Sequence, residues 1–154
     1  MLPDGILDPG SISVSDPASS KKRVLEQAAR LLAGTADEPE AEQIFERLLE
    51  RERLGSTGLA GGVALPHARM PGIDNSRGAF LQLAQAVEFD ALDGSPVDLV
   101  FALLVPENAN EEHLQLLAKL AGMFNEKELR DRLREAEPEE AMAILTGNSS
   151  SHAA

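Results

Sequence analysis

The sequence predicts an α/β protein, a single-domain sandwich in which a mixed central β-sheet is flanked by helices on both faces. Three observations carry this reading. Segments with helical apolar spacing stand before, and again after, a block of strand-like segments. The run 97–105 is almost unbroken in apolar residues, as a central strand buried on both faces requires. The chain of 154 residues, with no Cys, is long enough for one packed core that needs no disulfide staple.

In order along the chain, residues 1–18 alternate Asp, Pro, Gly and Ser with single Ile, Leu and Val, which suits a loosely docked arm or a short edge strand. Ser19 or Ser20 caps a first helix whose apolar face is Val24, Leu25, Ala28, Ala29, Leu31 and Leu32, and Gly34 stops it. Pro39 suits the first position of a second helix. There Ala41, Ile44, Phe45 and Leu48 follow the i, i+3, i+4, i+7 spacing, and Gly55 ends the run. Strands are expected at 62–65, 79–86 and 97–105, with Asp93 and Gly94 turning into the last. After Pro106 a helix opens at Asn108 or Asn110. Its inward stripe is His113, Leu117, Leu120, Ala121 and Phe124, with Leu114 and Leu116 beside it. One or two closing helices span 127–135 and 138–145, the second opened by Pro138, and 148–154 reads as a disordered polar tail. The expected organisation is thus an N-terminal arm 1–18, a domain 19–147 and a tail 148–154, without internal repeats.

Charge narrows the function. With 14 basic and 26 acidic side chains the net charge is −12, which argues against general nucleic-acid binding, because counterion release needs a basic surface, and against an anionic membrane surface. No apolar stretch approaches the roughly 20 residues of a membrane helix, and the first sixteen residues hold three Asp in place of a basic, apolar export signal. A cytoplasmic protein without direct membrane insertion is expected. Lacking Cys, the chain has no thiolate for catalysis, for a zinc ribbon or for an iron–sulfur cluster, so its three His are the scarce reactive type.

One stretch departs from the acidic average. Residues 51–80 hold Arg51, Arg53, Arg69 and Arg77 against Glu52 and Asp74, together with six of the 12 glycines. Such a stretch is either an anion site or a flexible loop with solvated arginines. Arg51 follows Ile44 by seven residues and Leu48 by three, which sets it on the apolar stripe of its helix. A guanidinium there meets an anion or snorkels past the last turn. The glycine-rich run from Gly55 to Gly62 is no P-loop. It lacks the Gly-Lys-Ser/Thr ending, and no Lys lies between Lys22 and Lys119. G-x-G-x-x-G and G-x-S-x-G are also missing.

Among the histidines, His152 falls in the tail and is given no role. His67 follows the expected strand 62–65, with Pro66 stiffening the approach, and serves either as a hydrogen-bonded structural group or as a reactive one. Metal binding is disfavoured, since no H-x-H, H-x-x-x-H or H-E-x-x-H pair occurs and Arg51 and Arg69 would repel a cation. No cofactor is called for. As a nucleophile, neutral His67 would attack phosphorus through one ring nitrogen while a hydrogen bond holds the other, with Arg51 and Arg69 supplying positive charge. His113, in the first turn of its helix, either donates an N–H to the same group or packs against Leu117.

Five stretches resemble a known family: Arg51-Glu52-Arg53-Leu54-Gly55-Ser56-Thr57-Gly58; Gly62-Val63-Ala64-Leu65-Pro66-His67-Ala68-Arg69; the segment from Phe89 through Asp93-Gly94 to Leu99; Leu103-Leu104-Val105-Pro106; and the segment from His113 to Ala121. In order and spacing, from about Lys21 to Leu145, they are similar to the enzyme IIA proteins of the fructose/mannitol class of the bacterial phosphotransferase system, most of all to its nitrogen-regulatory branch. The resemblance implies that the domain is of IIA type, that His67 is the phosphorylated nucleophile, that Arg51 steadies the phosphoryl group and that His113 is the second active-site histidine. Arg69, Ser56 and Thr57 are further phosphoryl-binding candidates. Ala68 stands where many members have Gly. The implied donor is an HPr-like histidine phosphocarrier protein, itself charged from phosphoenolpyruvate through an enzyme I. Because no IIB-like or permease segment is attached, the expected role is a phosphocarrier that regulates by binding target proteins according to its phosphorylation state. The alternative is a sugar-specific IIA subunit that passes phosphate to a IIB domain.

Overall fold

In the computed structural model, residues 2–3, 5–35 and 39–147 are described. They form strand β1 (Ile12–Asp16), helices α1 (Lys21–Ala33) and α2 (Ala41–Leu54), strands β2 (Val63–Ala64), β3 (His67–Met70), β4 (Arg77–Val87) and β5 (Val97–Pro106), and helices α3 (Glu111–Phe124), α4 (Lys127–Arg134) and α5 (Pro138–Thr146). The sheet is mixed, with β1 parallel to β4, β4 antiparallel to β5, and β2 and β3 both parallel to β5 along its far edge. Helices cover both faces, as the sequence predicts.

β5 explains the unbroken apolar run. Alternate side chains of a strand point to opposite faces. Leu99, Phe101, Leu103 and Val105 pack with α3, α4 and α5, while Val100, Ala102 and Leu104 pack with α1 and α2. A strand covered on both sides has no polar face to show.

The helices follow their local chemistry. Ser20 caps α1, its hydroxyl accepting from the Arg23 amide at 3.1 Å, and Gly34 closes it at φ 58°. Helix α2 begins at Ala41, two residues later than the position expected for Pro39. The Gln43 side chain reaches back to the Glu40 amide at 3.1 Å, so Glu40 is the cap and Pro39 lies before it. Asn110, not Asn108, caps α3, and Pro138 opens α5 as expected. The buried stripe of α3 is Leu116, Leu120, Met123 and Phe124. It is rotated from the expected one, which leaves His113 and Leu117 half-buried and Leu114 57% exposed.

Two strands go beyond the three that the sequence predicts. Of the two readings open for the first residues, arm or edge strand, 12–16 take the edge strand, with Ile12 opposite Phe80. The buried Gln82 amide ties this edge inward. It accepts from the Ser15 amide at 3.1 Å and donates to the Leu133 and Ala136 carbonyls at 2.7 and 3.1 Å. Strand β3 was not expected at all. Pro66 ends β2 without ending the pairing, since its carbonyl accepts from the Leu103 amide at 2.9 Å and β3 then continues along Leu103–Pro106. His67 therefore follows β2, as expected, and also opens β3. The tail expected at 148–154, with His152, lies outside the described residues.

Candidate active site

β3 is an edge strand four residues long. Ala68 and Met70 turn into the core beneath α1 and α2, so alternation sends His67 and Arg69 to the other face. There an open cleft of about 630 Å³ lies between the C-terminal half of α2 and the start of α3. Arg51, His67, Arg69 and His113 all line it. Residues 62 positions apart in the chain are brought together because β5 carries β3 beside it and leads directly into α3.

His67 is held by one hydrogen bond whose direction is fixed. Its Nδ1 lies 2.8 Å from the Leu65 carbonyl oxygen, which can only accept, so Nδ1 carries the proton and Nε2 keeps its lone pair. The ring pKa is pushed below its ordinary value, first by burial and then by the positive charge of Arg51, while the Leu65 bond and the negative charge of Glu52 oppose the shift. The neutral imidazole is thus favoured. At His113 the roles of the nitrogens reverse. Its Nδ1 faces the Asn110 amide at 3.4 Å in the capping box of α3, and the Asn110 side chain accepts from the Glu112 amide at 3.0 Å. With Nδ1 as acceptor, the neutral ring carries its proton on Nε2. One histidine offers a lone pair and the other an N–H.

Arg51 is half-buried at the last turn of α2. Its Nη1 donates to the Gly55 carbonyl at 2.9 Å, and among the described residues no carboxylate lies within ion-pair reach of it. The guanidinium thus reaches past the helix end into the cleft, free of a carboxylate partner among the described residues and with N–H groups left to meet an anion. Arg69 fastens the β5–α3 connection through the Glu107 and Ala109 carbonyls at 3.0 and 3.3 Å. Arg47 and Arg53 join the same wall, with Arg47 3.9 Å from Glu107. Sequence reasoning missed Arg47 as a site residue, although it precedes Arg51 by four and so shares its helix face. Leu54 and Leu114, 85% and 57% exposed, form apolar rims.

Ser56 and Thr57 do not line the cleft. The Ser56 hydroxyl donates to the Phe89 carbonyl and accepts from the Gly58 amide at 3.0 Å. Thr57 donates its amide and hydroxyl to the Glu52 carboxylate at 2.8 Å each. The glycines also serve packing. A Cβ on Gly61 would meet Arg130 at 2.8 Å, and one on Gly62 would meet the Arg134 guanidinium at 2.6 Å, so this loop lies against α4 and does not cradle an anion in the cleft. Among the described residues no three His, Asp or Glu side chains converge as a metal site, and no helix is long and apolar enough to cross a membrane.

Two histidines of opposite tautomer beside an arginine wall, on an α/β sandwich, define a class of protein that comparison with known proteins identifies. The family described as phosphoenolpyruvate-dependent sugar phosphotransferase system, EIIA 2, matches residues 5–147, and the chain belongs to it. Within that family it is similar to the nitrogen regulatory proteins. It is 53% identical over 137 residues to the nitrogen regulatory protein of Pseudomonas aeruginosa, covering 89% of each chain. It superposes on the crystal structure of nitrogen regulatory protein IIA-Ntr from Neisseria meningitidis with a TM-score of 0.86 at 46% identity, covering 91% of this chain and 96% of that one. The fold is shared with the mannitol enzyme IIA of Escherichia coli in its complex with phosphorylated mannitol enzyme IIB, at a TM-score of 0.72 and 21% identity over 90% of this chain and 95% of that one.

Proposed function

We propose that His67 accepts a phosphoryl group through Nε2 from an HPr-like histidine phosphocarrier, and that its phosphorylation state decides which proteins the chain binds. The observation that carries this is the fixed tautomer of His67 inside an arginine-lined cleft. The lone pair of Nε2 forms the new N–P bond as the N–P bond of the donor breaks, and the donor imidazole leaves with that electron pair. The donor ring, protonated on its other nitrogen, departs neutral. The His67 ring gains the positive charge, and the Leu65 carbonyl holds its Nδ1 proton throughout. Arg51 offers its remaining N–H groups to the phosphoryl oxygens, His113 offers Nε2–H, and Arg69 adds charge at the mouth. Ser56 and Thr57 act here only by shaping the loop. The exposed rims of Leu54 and Leu114 favour a protein, rather than a small molecule, as the source of phosphate.

Incubation with phosphoenolpyruvate, enzyme I and the phosphocarrier, followed by ³¹P NMR, should show one phosphohistidine that His67→Ala removes. Label retained in that variant overturns the assignment. The regulatory role predicts that binding partners differ between the phosphorylated and unphosphorylated chain. A second reading, a sugar-transport subunit that feeds a IIB domain, is favoured by 34% identity over 133 residues to a fructose-specific EIIA component of Haloferax volcanii. Sugar phosphorylation that depends on this chain would select it.

A further inference from the structure

Glu52 is the most deeply buried carboxylate near the cleft, and the scheme above gives it no task. Its side chain is 3% exposed, and Lys21 Nζ stands 3.6 Å away. Four contacts of 2.8 to 3.1 Å join its two oxygens to the Thr57 amide and hydroxyl. Thr57 passes the constraint on, since its carbonyl accepts from the Leu65 amide at 3.0 Å. The Leu65 carbonyl in turn accepts the hydrogen bond of His67 Nδ1–H at 2.8 Å. Hydrogen bonds joined through the backbone of Thr57 and of Leu65 thus connect a buried carboxylate to the ring. No other hydrogen bond to the His67 ring is present among the described residues.

We propose that Glu52 is a positioning residue for transfer at His67, acting through Thr57 and Leu65 to keep Nδ1 protonated and Nε2 turned to the cleft. This rests on the phosphoryl-carrier reading. The charge serves a second purpose. The ring becomes cationic as the N–P bond forms, and a buried carboxylate favours that cation while Arg51 attends to the phosphoryl oxygens. Arg51 and Glu52, adjacent in the chain, thereby act on opposite ends of the same reaction. The charged and titratable groups around the ring include Arg47, Arg51 and Arg53 in the cleft from α2, Arg69 from its own strand and His113 from α3, with Glu52 acting on it from behind the cleft wall.

The test uses the full chain labelled with ¹⁵N and the small donor phosphoramidate, which removes partner docking from the measurement. Wild type should show the Nδ1–H tautomer at His67. Glu52→Gln should mix the tautomers, move the His67 titration still lower, and slow phosphorylation roughly 10- to 100-fold, the usual cost of a misplaced reacting group. Thr57→Val should mix the tautomers and slow the reaction with a smaller change in titration, and Thr57→Ser should restore both. If Glu52→Gln fails to fold, the two Thr57 variants decide. Wild-type tautomer and wild-type rate in Glu52→Gln, or in Thr57→Val where only that pair folds, overturn the proposal while leaving His67 as the acceptor. A wild-type chain that takes no phosphate from any donor, yet changes tautomer in the variants, sinks the carrier reading and with it any role in transfer, and leaves only the orientation of the ring by Glu52.

Discussion

Replacing Arg51 by Ala separates a ligand-binding arginine from a structural one, because the structure bounds what the side chain contributes to folding. Among the described residues it makes one hydrogen bond, to the Gly55 carbonyl, near the C-terminal end of α2. Such a bond contributes about 1 kcal/mol net, and a cation at a helix C-terminus about 0.3–1 kcal/mol. The expected folding cost is therefore about 1–2 kcal/mol, which leaves a domain of ordinary stability, about 5–15 kcal/mol, overwhelmingly folded. Loss of a donor to the phosphoryl oxygens should instead slow transfer roughly 10²- to 10³-fold, about 2.7–4 kcal/mol of barrier. Urea unfolding gives the first quantity, and phosphoryl uptake followed by intact mass gives the second. A third readout is independent of both: without the positive charge of Arg51 the His67 titration should move upward. Arg51→Lys should recover the titration but only part of the rate, since an ammonium lacks the planar fork. A rate loss no larger than the lost stability explains, or a His67 titration that stays in place, would refute the reasoning.

The pH response has a fixed sign. The His67 pKa is lowered on folding, so the unfolded chain binds the extra proton first; the stabilisation is fully present above the unfolded value near 6.5 and is lost as pH falls through the folded value. The pH slope of unfolding free energy in that window should flatten in His67→Gln, and phosphoryl uptake should fall below the folded pKa as the lone pair is protonated. Gly62→Ala should cost about 2–4 kcal/mol by urea unfolding, about 1–2 of it from a positive φ of 81° and the rest from displacing Arg134 from Asp98 and the Gly61 carbonyl. Removing Arg134 in the same chain should reduce the second part only. Gln82→Leu should cost about 2–4 kcal/mol by stranding the Ser15 amide and the Ala136 carbonyl and by taking one of two donors from the Leu133 carbonyl in the last turn of α4, with hydrogen exchange rising first at Ser15.

What was legible in the sequence was whatever a local period or a local cap encodes. Helix α1, from Ser20 to Gly34, and the two-faced strand β5 follow from residues within one element. Strand β3 does not, because four residues between Pro66 and Pro71 are too few for an alternation to register, and its partner β5 lies over 30 positions ahead. The stripe of α3 was misjudged because periodicity counts apolar residues without knowing that one flank borders a cleft, where His113 and Leu117 stay half-buried. His67, Arg51 and His113 were found as a set through family resemblance, whereas spacing alone left each with a structural alternative. Glu52 was invisible as anything but a charge. Its burial depends on Thr57 folding back over the end of α2, a tertiary fact. The glycines of the 55–62 loop misled in the opposite direction, since the arginines that require Gly61 and Gly62 stand on α4.

The bond from His67 to Leu65 has a thermodynamic consequence. A side-chain base beside the ring would take its proton when the phosphate arrives and would have to return it before the phosphate left. A peptide carbonyl can hold a proton in place but cannot carry it off. In the transfer proposed here the ring therefore keeps its proton through arrival and departure alike. Nothing is exchanged with solvent, and the two half-reactions mirror one another. In that scheme an N–P bond is exchanged for another N–P bond with the same count of protons on either side, so the step can run in either direction without an added acid or base.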